Sequence, residues 1–218
     1  MLAQPFTLAH VGYMLNGVLW TLALSALAFV FGGIAGFGVM LLRISRFRAV
    51  RIASLVVVQI VQGIPLLVIL FAVYFGLGIF GFQVAPIIAA GVAMMIYSAA
   101  FLAEIWRGCV EAVPRTQFEA AECLALTRWE ALRKVILPQA FRLAIPPTVG
   151  FMVQVVKSTS LASVVGFVEL TRAAQIINNS TFQSFLVFGI AGAFYFAICW
   201  PLSAWSRTLE RKLHVGRH

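Results

Sequence analysis

Long uncharged stretches alternate with short charged segments along this chain. Lys, Arg, Asp and Glu are absent from residues 1 to 42, 52 to 103 and 173 to 206, and residues 143 to 168 contain only Lys157. A helix needs roughly 20 apolar residues to cross a bilayer, so each stretch can supply one span and the second can supply two. A glycine-rich turn at residues 76 to 81 divides that second stretch.

The pattern predicts an all-α integral membrane protein with five transmembrane helices. We expect the helices near residues 14 to 42, 54 to 78, 84 to 108, 147 to 166 and 182 to 208. Residues 1 to 218 then form a single membrane domain, and residues 114 to 142, here named the charged loop, connect the third and fourth spans. With 62% hydrophobic and 11% charged residues, the composition excludes a soluble domain.

The cations predict the orientation of the spans. Of the 16 Lys and Arg residues, 14 fall within residues 43 to 51, 107 to 142 and 207 to 217, which share one side of a five-span arrangement. Basic residues in short connections stay on the cytoplasmic side, so the N-terminus is expected outside and the C-terminus in the cytoplasm. The net charge of +9 is mainly this topology signal, accompanied by attraction to anionic lipid headgroups rather than to nucleic acid.

The charged loop contains two candidate helix starts. Thr116 precedes Glu119 by three residues, and Thr127 precedes Glu130 by three, so each pair can form a capping box. Two short helices are therefore expected. In the second, one face is apolar (Trp129, Leu132, Val135, Ile136) and the other is charged (Arg128, Glu130, Arg133, Lys134). The local pattern alone suits a helix lying on lipid equally well.

Charges inside the predicted spans mark a candidate translocation pathway or substrate contact. Glu104 lies one turn from Arg107, with which it can simply pair, and Glu169 lies one turn from Arg172. Lys157 is expected near mid-membrane, where a buried ammonium needs water or a partner, so its helix should face protein or a wet cavity. The candidate pathway residues are Glu104, Lys157, Ser158, Thr159, Ser160 and Glu169.

The sequence shows no catalytic residue set, no metal site and no nucleotide site of its own. It contains no aspartate, and Cys109, Cys123 and Cys199 suggest neither a disulfide framework nor a metal cluster. The glycines of residues 76 to 81 match a dinucleotide fingerprint, but they lie between membrane helices with no strand before them. We therefore expect no enzymatic activity in this chain and no cofactor bound to it.

Two further patterns concern helix packing. Ala28, Gly32 and Gly36 form a small-residue stripe on the first helix, which allows a neighbouring helix to approach closely. Pro65 removes a backbone hydrogen bond within the predicted second span. The resulting kink either borders a polar path or serves packing alone.

The charged loop resembles the EAA loop of the membrane permeases of ABC importers. The resemblance rests on Glu119, Ala120, Ala121, Ala125, Leu137 and Pro138. Further segments from residue 16 to 213 are similar to the polar amino acid permease family of the histidine and glutamine type, in the family's order. They include Pro65-Leu66-Leu67-Val68, Ala103-Glu104-Ile105 with Arg107-Gly108, Leu137-Pro138-Gln139-Ala140, Pro146-Pro147, Lys157 with Thr159-Ser160-Leu161, and Glu169-Leu170-Thr171.

The resemblance implies a type I ABC importer permease in a bacterial inner membrane. In such importers two permease chains, identical or sisters, form the path, two ATP-binding subunits receive the EAA loops, and an external binding protein delivers the amino acid. ATP and Mg would be bound by the partner subunits, and Pro138, Pro146 and Pro147 would pass their motion to the last spans. The alternatives are an ion-coupled secondary transporter or channel without an ATPase, and a structural membrane subunit.

This chain departs from the family pattern at a few positions. Ala125 stands where the loop usually has glycine, and Ala costs about 1 kcal/mol more than Gly if the first loop helix ends in a left-handed turn. Gln62 and Ser158 stand where many relatives have Arg and Asp. Both of these changes remove charge from near the path.

Overall fold

The computed structural model describes residues 5–79 and 81–215, with side chains as far as Lys212. Arg217 and His218, which were assigned to a cytoplasmic tail, lie outside the described residues. The described part of the chain is helical and contains no strand, as the uncharged stretches predict. Its helices are α1 (Leu8–Arg43), α2 (Arg48–Gly63), α3 (Leu66–Ile79), α4 (Pro86–Glu111), α5 (Arg115–Cys123), α6 (Arg128–Ala131), α7 (Leu137–Ser158), α8 (Leu170–Thr181) and α9 (Ser184–Val215).

Among the residues that the structure describes, four helical stretches are long and apolar enough to cross a membrane. They are Leu8–Arg43, Pro86–Glu111, Arg128–Val165 and Ser184–Lys212, and α2 with α3 makes a fifth if this bent pair counts as one span. The third stretch joins α6 to α7 through a π-helical turn (Leu132–Ile136) and ends in a 3-10 segment (Thr159–Val165).

The span expected near residues 54 to 78 is broken in the middle, because α2 and α3 meet at an angle of 97°. Helix α2 ends at Gly63, and Ile64 takes an extended conformation with φ −101° and ψ 130°. The ring of Pro65 causes this, since it disfavours helical geometry at the preceding residue and has no N–H to donate. The expected kink is therefore a complete break between two helices.

Helix α1 packs closely along α4. The small-residue stripe faces this contact, and Ala28, Gly32 and Gly36 are all buried. A Cβ atom added at Gly36 would lie 2.9 Å from the carbonyl oxygen of Ala99, and one added at Gly32 would lie 2.6 Å from the Cβ of Ser98. The stripe therefore allows the close approach of a neighbouring helix that was expected. The main hydrophobic core lies between α1, α3, α4 and α7.

The helix predicted from residue 147 begins much earlier. Pro146 and Pro147 lie inside α7, and the helix extends back through the π turn to Arg128. Pro138 is the second residue after the π turn, and the wider turn accommodates a ring that would crowd the carbonyl four residues earlier. The second loop helix is thus continuous with the helix of the fourth span rather than a separate helix.

The other end of the bundle contains an additional helix, α8, before the last span. It begins at Leu170 and ends at Thr181, and the following residue, Phe182, has a left-handed conformation with φ 52°. Helix α8 packs its buried face against α1 and α9. On the same side, α3 ends beside Gly81, whose φ of 83° agrees with the turn predicted from the glycine pattern.

Candidate coupling surface and translocation residues

The first helix of the charged loop ends in a Schellman motif around Ala125. The Leu126 N–H donates to the carbonyl of Ala121 at 3.1 Å, and the Ala125 N–H donates to the carbonyl of Glu122 at 2.9 Å. Ala125 itself has φ 50°. The left-handed turn considered for this position is present, although the residue is alanine where glycine is usual at the same place in such motifs.

Only one of the two predicted capping boxes forms. Helix α5 begins after Pro114 and has no side-chain cap, so Thr116 lies within its first turn and the first box is wrong. The second box is confirmed. The Oε2 atom of Glu130 accepts from the Thr127 N–H at 3.1 Å, and the Thr127 hydroxyl accepts in turn from the Glu130 N–H.

The second box is also electrostatically stabilised. The ammonium of Lys134 lies 2.9 Å from Oε1 of Glu130. Its hydrogen bond to the carboxylate, with those from Thr127, lowers the pKa of Glu130 to about 2. Glu130 is therefore ionised at neutral pH, as a carboxylate at a helix N-terminus should be.

Two side-chain hydrogen bonds tie the short helices α5 and α6 of the charged loop to the long helices α7 and α1. The guanidinium of Arg128 donates from Nη2 to the carbonyl of Ile44, just beyond the end of α1, at 3.1 Å. The Gln139 amide in α7 donates to Oε1 of Gln117 in α5, also at 3.1 Å. A displacement of α5 or α6 would therefore act directly on α1 and α7.

The loop presents an uncovered surface made of both apolar and charged side chains. Leu124 is 72% exposed and Trp129 is 56% exposed, although Trp129 was expected on the buried face of its helix. Glu119 and Ala120 are exposed on α5, whereas Ala121 is buried and anchors the helix. Leu137 is half-buried and Pro138 is exposed at the start of α7. Large exposed apolar groups beside charges are typical of a protein-binding surface.

Glu104 belongs to an ion-pair cluster near the loop end of the bundle. Its Oε1 accepts from Nη2 of Arg43 at 2.9 Å and from Nε of Arg107 at 2.7 Å. Arg107 also pairs with Glu111 in the next turn of α4. The pairing expected between Glu104 and Arg107 is confirmed, and the additional partner Arg43 joins α1 to α4.

The candidate residues from Lys157 to Ser160 lie at the opposite end of α7. Lys157 is the penultimate residue of α7 and is exposed, with no carboxylate within 4.0 Å among the described residues. The helix begins well before residue 147, so Lys157 lies at its far end, and the depth expected for Lys157 near mid-membrane stays a prediction. The Thr159 and Ser160 hydroxyls donate to the carbonyls of Val156 and Lys157 at 2.8 and 2.7 Å, which leaves them less free for a ligand.

Glu169 is completely buried and caps α8. Its carboxylate accepts from the backbone N–H groups of Thr171 and Arg172 at 2.9 and 2.8 Å, and from the Tyr195 hydroxyl of α9 at 2.8 Å. The side-chain pair expected between Glu169 and Arg172 does not form, because the guanidinium of Arg172 donates to Gln175 instead. Glu169 thus serves as a cap and an inter-helix link in this arrangement.

The candidate pathway residues do not converge on one site. Thr148 of α7 accepts a hydrogen bond from Trp106, near Glu104, whereas Ser158 lies beside Ala93 and Met94. About ten residues of α4 separate these two levels, or about 15 Å along the helix. Glu104 therefore lies near the charged loop, and Lys157 to Glu169 lie toward the other end.

Three contributors to these contacts were not identified as site residues from the sequence. Arg43 was counted among the loop cations, but only 8% of it is exposed. Thr21 accepts the Leu170 N–H at 3.2 Å, and Tyr195 links α9 to Glu169. Their partners are distant in the sequence, so no local spacing signals them.

Known proteins of similar sequence and structure fit this geometry. A family model described as the inner membrane component of binding-protein-dependent transport systems matches residues 28–215. The probable amino-acid ABC transporter permease YckA of Bacillus subtilis (strain 168) is 32% identical over 200 residues, which cover 92% of this chain and 88% of YckA. The L-cystine transport system permease TcyB of the same organism is 37% identical over 199 residues, covering 91% of this chain and 85% of TcyB.

Solved structures agree with the family match. A chain from the crystal structure of an amino acid ABC transporter with histidines superposes with a TM-score of 0.89 at 32% identity, covering 94% of this chain and 96% of the other. An inward-facing MetNI methionine ABC transporter gives a TM-score of 0.76 at 20% identity, covering 94% and 99%, and supports the fold alone. The chain is an integral membrane protein that belongs to the family of binding-protein-dependent transport system inner membrane components.

Proposed function

We propose that this chain is the membrane-spanning permease subunit of an ATP-driven importer for a polar amino acid. The proposal is supported by the uncovered surface of the charged loop, where Glu119, Leu124 and Trp129 are exposed. The helices that carry these side chains, α5 and α6, are hydrogen-bonded to α7 and to the end of α1. Relatives that this chain covers almost completely carry names of amino-acid, glutamine and L-cystine permeases.

The proposed partners follow from the same reading. Two ATP-binding subunits hold ATP and Mg and receive the charged loops, a second permease chain completes the path, and an external protein delivers the amino acid. The coupling residues are Glu119, Ala120, Ala121, Ala125, Leu137 and Pro138. The charged loop then faces the cytoplasm of a bacterial cell, the N-terminus lies outside, and the protein resides in the inner membrane.

The hydrogen bonds that tie α5 to α7 and α6 to the end of α1 supply a mechanism for coupling. Movement of α5 and α6 by the ATP-binding subunits pulls on α7 through Gln117 and Gln139, and on α1 through Arg128. Helix α7 continues to Lys157 and the 3-10 segment, so the motion reaches the candidate path without passing through a flexible joint. Lys157 to Ser160 are proposed to line or shape that path.

Reversing one loop charge tests the proposal. Glu119→Lys should release the ATP-binding subunit, or abolish amino-acid-stimulated ATP hydrolysis, while membrane insertion stays normal. Glu210→Lys is the matched control, since Glu210 is an exposed glutamate of α9 outside the charged loop. The readouts are co-purification of the ATP-binding subunit in mild detergent and ATPase activity with the binding protein present.

Two results would contradict the proposal. Normal complex yield and transport in Glu119→Lys would remove the coupling role of the charged loop. Amino acid uptake that follows an imposed ion gradient, with no ATP-binding subunit in the purified complex, would favour an ion-coupled secondary transporter or channel. In that case Glu104 would have to leave its two arginine partners to carry a coupling charge.

A further inference from the structure

An apolar groove opens between α1, α4, α7 and α9 in the half of the bundle nearest the charged loop. It encloses about 470 Å³, and its walls include Phe37, Trp106, Phe141, Ile145, Met152 and Trp205. Its polar lining group, the Thr148 hydroxyl, already accepts from Nε1 of Trp106 at 2.9 Å. The groove therefore suits a hydrocarbon ligand rather than a polar amino acid.

The groove faces away from the polar side of α7. Pro147, Gly150, Gln154 and Lys157 are exposed and recur at intervals of three and four residues, so they share one face of the helix. At about 100° per residue, the groove-lining positions of α7 fall on the opposite face. A second permease chain or a polar path fits the face of Lys157, which leaves the groove side for lipid.

The rim of the groove is open and aromatic. Phe141 is 70% exposed and Trp205 is 53% exposed, so a ligand can enter sideways between α7 and α9. Tryptophan is enriched where hydrocarbon meets the headgroup layer, which suits the position of Trp205 near the loop end of α9. Along α7 the groove is lined from Leu137 to Met152, roughly 22 Å of helix, which is long enough for one acyl chain.

Cations stand at the loop end of the same groove. Lys212 is exposed and follows Trp205 by seven residues, which places it on the same face of α9 about two turns, or roughly 10 Å, farther along. Arg142 is exposed and precedes the groove-lining Ile145 by three residues, which places the two on neighbouring positions of the same face of α7. An ammonium and a guanidinium at the headgroup level attract a lipid phosphate.

We propose that the groove binds an anionic phospholipid, with one acyl chain along Phe141, Ile145 and Trp205 and the phosphate between Arg142 and Lys212. The assignment of this lipid to the cytoplasmic leaflet rests on the orientation of the proposed function. The groove wall includes Leu137 and Ala140, in the first turn of α7 after the π turn. A bound lipid therefore contacts the helix that transmits loop motion, and its loss should reduce coupled ATP hydrolysis.

Native mass spectrometry of the purified complex tests this site. The complex is incubated with equal amounts of phosphatidylglycerol and phosphatidylcholine, and the lipids that survive detergent removal are counted. We expect phosphatidylglycerol to be retained preferentially. Arg142→Gln with Lys212→Gln should weaken its retention about fivefold for each cation removed. Arg133→Gln with Arg211→Gln is the matched control, because both are exposed cations of the same helical stretches and Arg211 lies on a different face of α9 from Trp205.

A groove-filling variant tests the acyl-chain half of the proposal. Ile145→Trp adds volume inside the groove and should abolish retention, with assembly of the complex reporting on folding. Equal retention of the two lipids, equal losses in the two charge doubles, or full retention in Ile145→Trp would each overturn the site. Loss of permease pairing in Ile145→Trp with the lipid still bound would assign the groove to an interface between copies.

Amino-acid-stimulated ATPase activity is measured separately on each variant. Specific phosphatidylglycerol retention in a complex that never hydrolyses ATP would refute the proposed function and leave the lipid site standing. Stimulated hydrolysis without selective lipid retention would refute the lipid site and leave the proposed function standing.

Discussion

Arg43 and Glu104 form the ion pair that joins the end of α1 to α4, with Nη2 and Oε1 separated by 2.9 Å. A second hydrogen bond runs from Nε of Arg43 to the same oxygen at 3.1 Å. Arg43 is buried, so its guanidinium depends on this carboxylate to offset the loss of water. The pair lies beside the attachment of the charged loop to Ile44.

Removing Arg43 should therefore loosen the loop end of the bundle. Arg43→Gln leaves Glu104 with Arg107 alone and should cost about 1–3 kcal/mol, since hydrogen bonds to charged groups are worth more than neutral ones. The measurement is the thermal unfolding midpoint of the purified complex. Arg46→Gln is the control, because Arg46 is exposed and stacks on Phe47. Equal midpoints in the two variants would contradict a structural role for the pair.

The contact between α1 and α4 gives a second prediction. Gly36→Ala places a methyl group 2.9 Å from the backbone oxygen of Ala99, which cannot move aside as a flexible side chain can. We expect the helices to separate and the unfolding midpoint to fall, at a cost of about 1–3 kcal/mol. Gly38→Ala in the same helix meets nothing within 4 Å and should be neutral or slightly stabilising. A similar fall in both variants would contradict the contact with Ala99 as the cause, because helix propensity alone favours alanine over glycine at both positions.

Features governed by neighbouring residues could be predicted from the sequence. The uncharged stretches predicted five spans, which the described residues contain if the bent pair α2 and α3 counts as one. The Thr127 box and the small-residue stripe of Gly32 and Gly36 appear where their spacing predicts. Each depends on contacts within a few residues or on one face of one helix. Composition and periodicity report such properties directly.

Features that depend on distant partners could not be predicted. The fourth span was expected to begin near residue 147, but α7 continues through Pro146 and Pro147, with the Ser206 hydroxyl of α9 donating to the carbonyl of Pro146 at 2.9 Å. The spacing of Glu169 and Arg172 predicted an ion pair, but in the fold the Tyr195 hydroxyl of α9 donates to the Glu169 carboxylate. Neighbouring helices re-satisfy backbone and side-chain groups in ways that one segment cannot reveal.

The single capping box of the charged loop gives a third prediction. Thr127→Ala removes the acceptor for the Glu130 N–H and the first turn of α6 should lose about 1 kcal/mol. Hydrogen exchange at the Glu130 amide should then become about fivefold faster. Thr116→Ala is the same substitution at the box that does not form, and it should leave exchange in α5 nearly unchanged. Faster exchange in Thr116→Ala of the same size would mean that Thr116 caps α5 after all.

The turn at Ala125 gives the fourth prediction, in which one substitution has opposite effects at two nearby positions. Ala125→Gly relieves the left-handed conformation at φ 50° and should stabilise the Schellman turn by about 1 kcal/mol. Exchange at the Leu126 amide, which donates to Ala121, should slow about fivefold. Ala120→Gly lies in the exposed interior of α5 and should cost about 1 kcal/mol instead.

Docking of the ATP-binding subunit separates the energetic effect of Ala125 from a geometric one. If alanine only adds strain, Ala125→Gly should increase retention of the partner, because the turn that the partner binds is then more stable. If alanine gives the turn a shape that the partner requires, the same variant should be more protected from exchange yet retain less partner. Unchanged exchange at Leu126 would contradict both, since the left-handed residue would then not limit the stability of the charged loop.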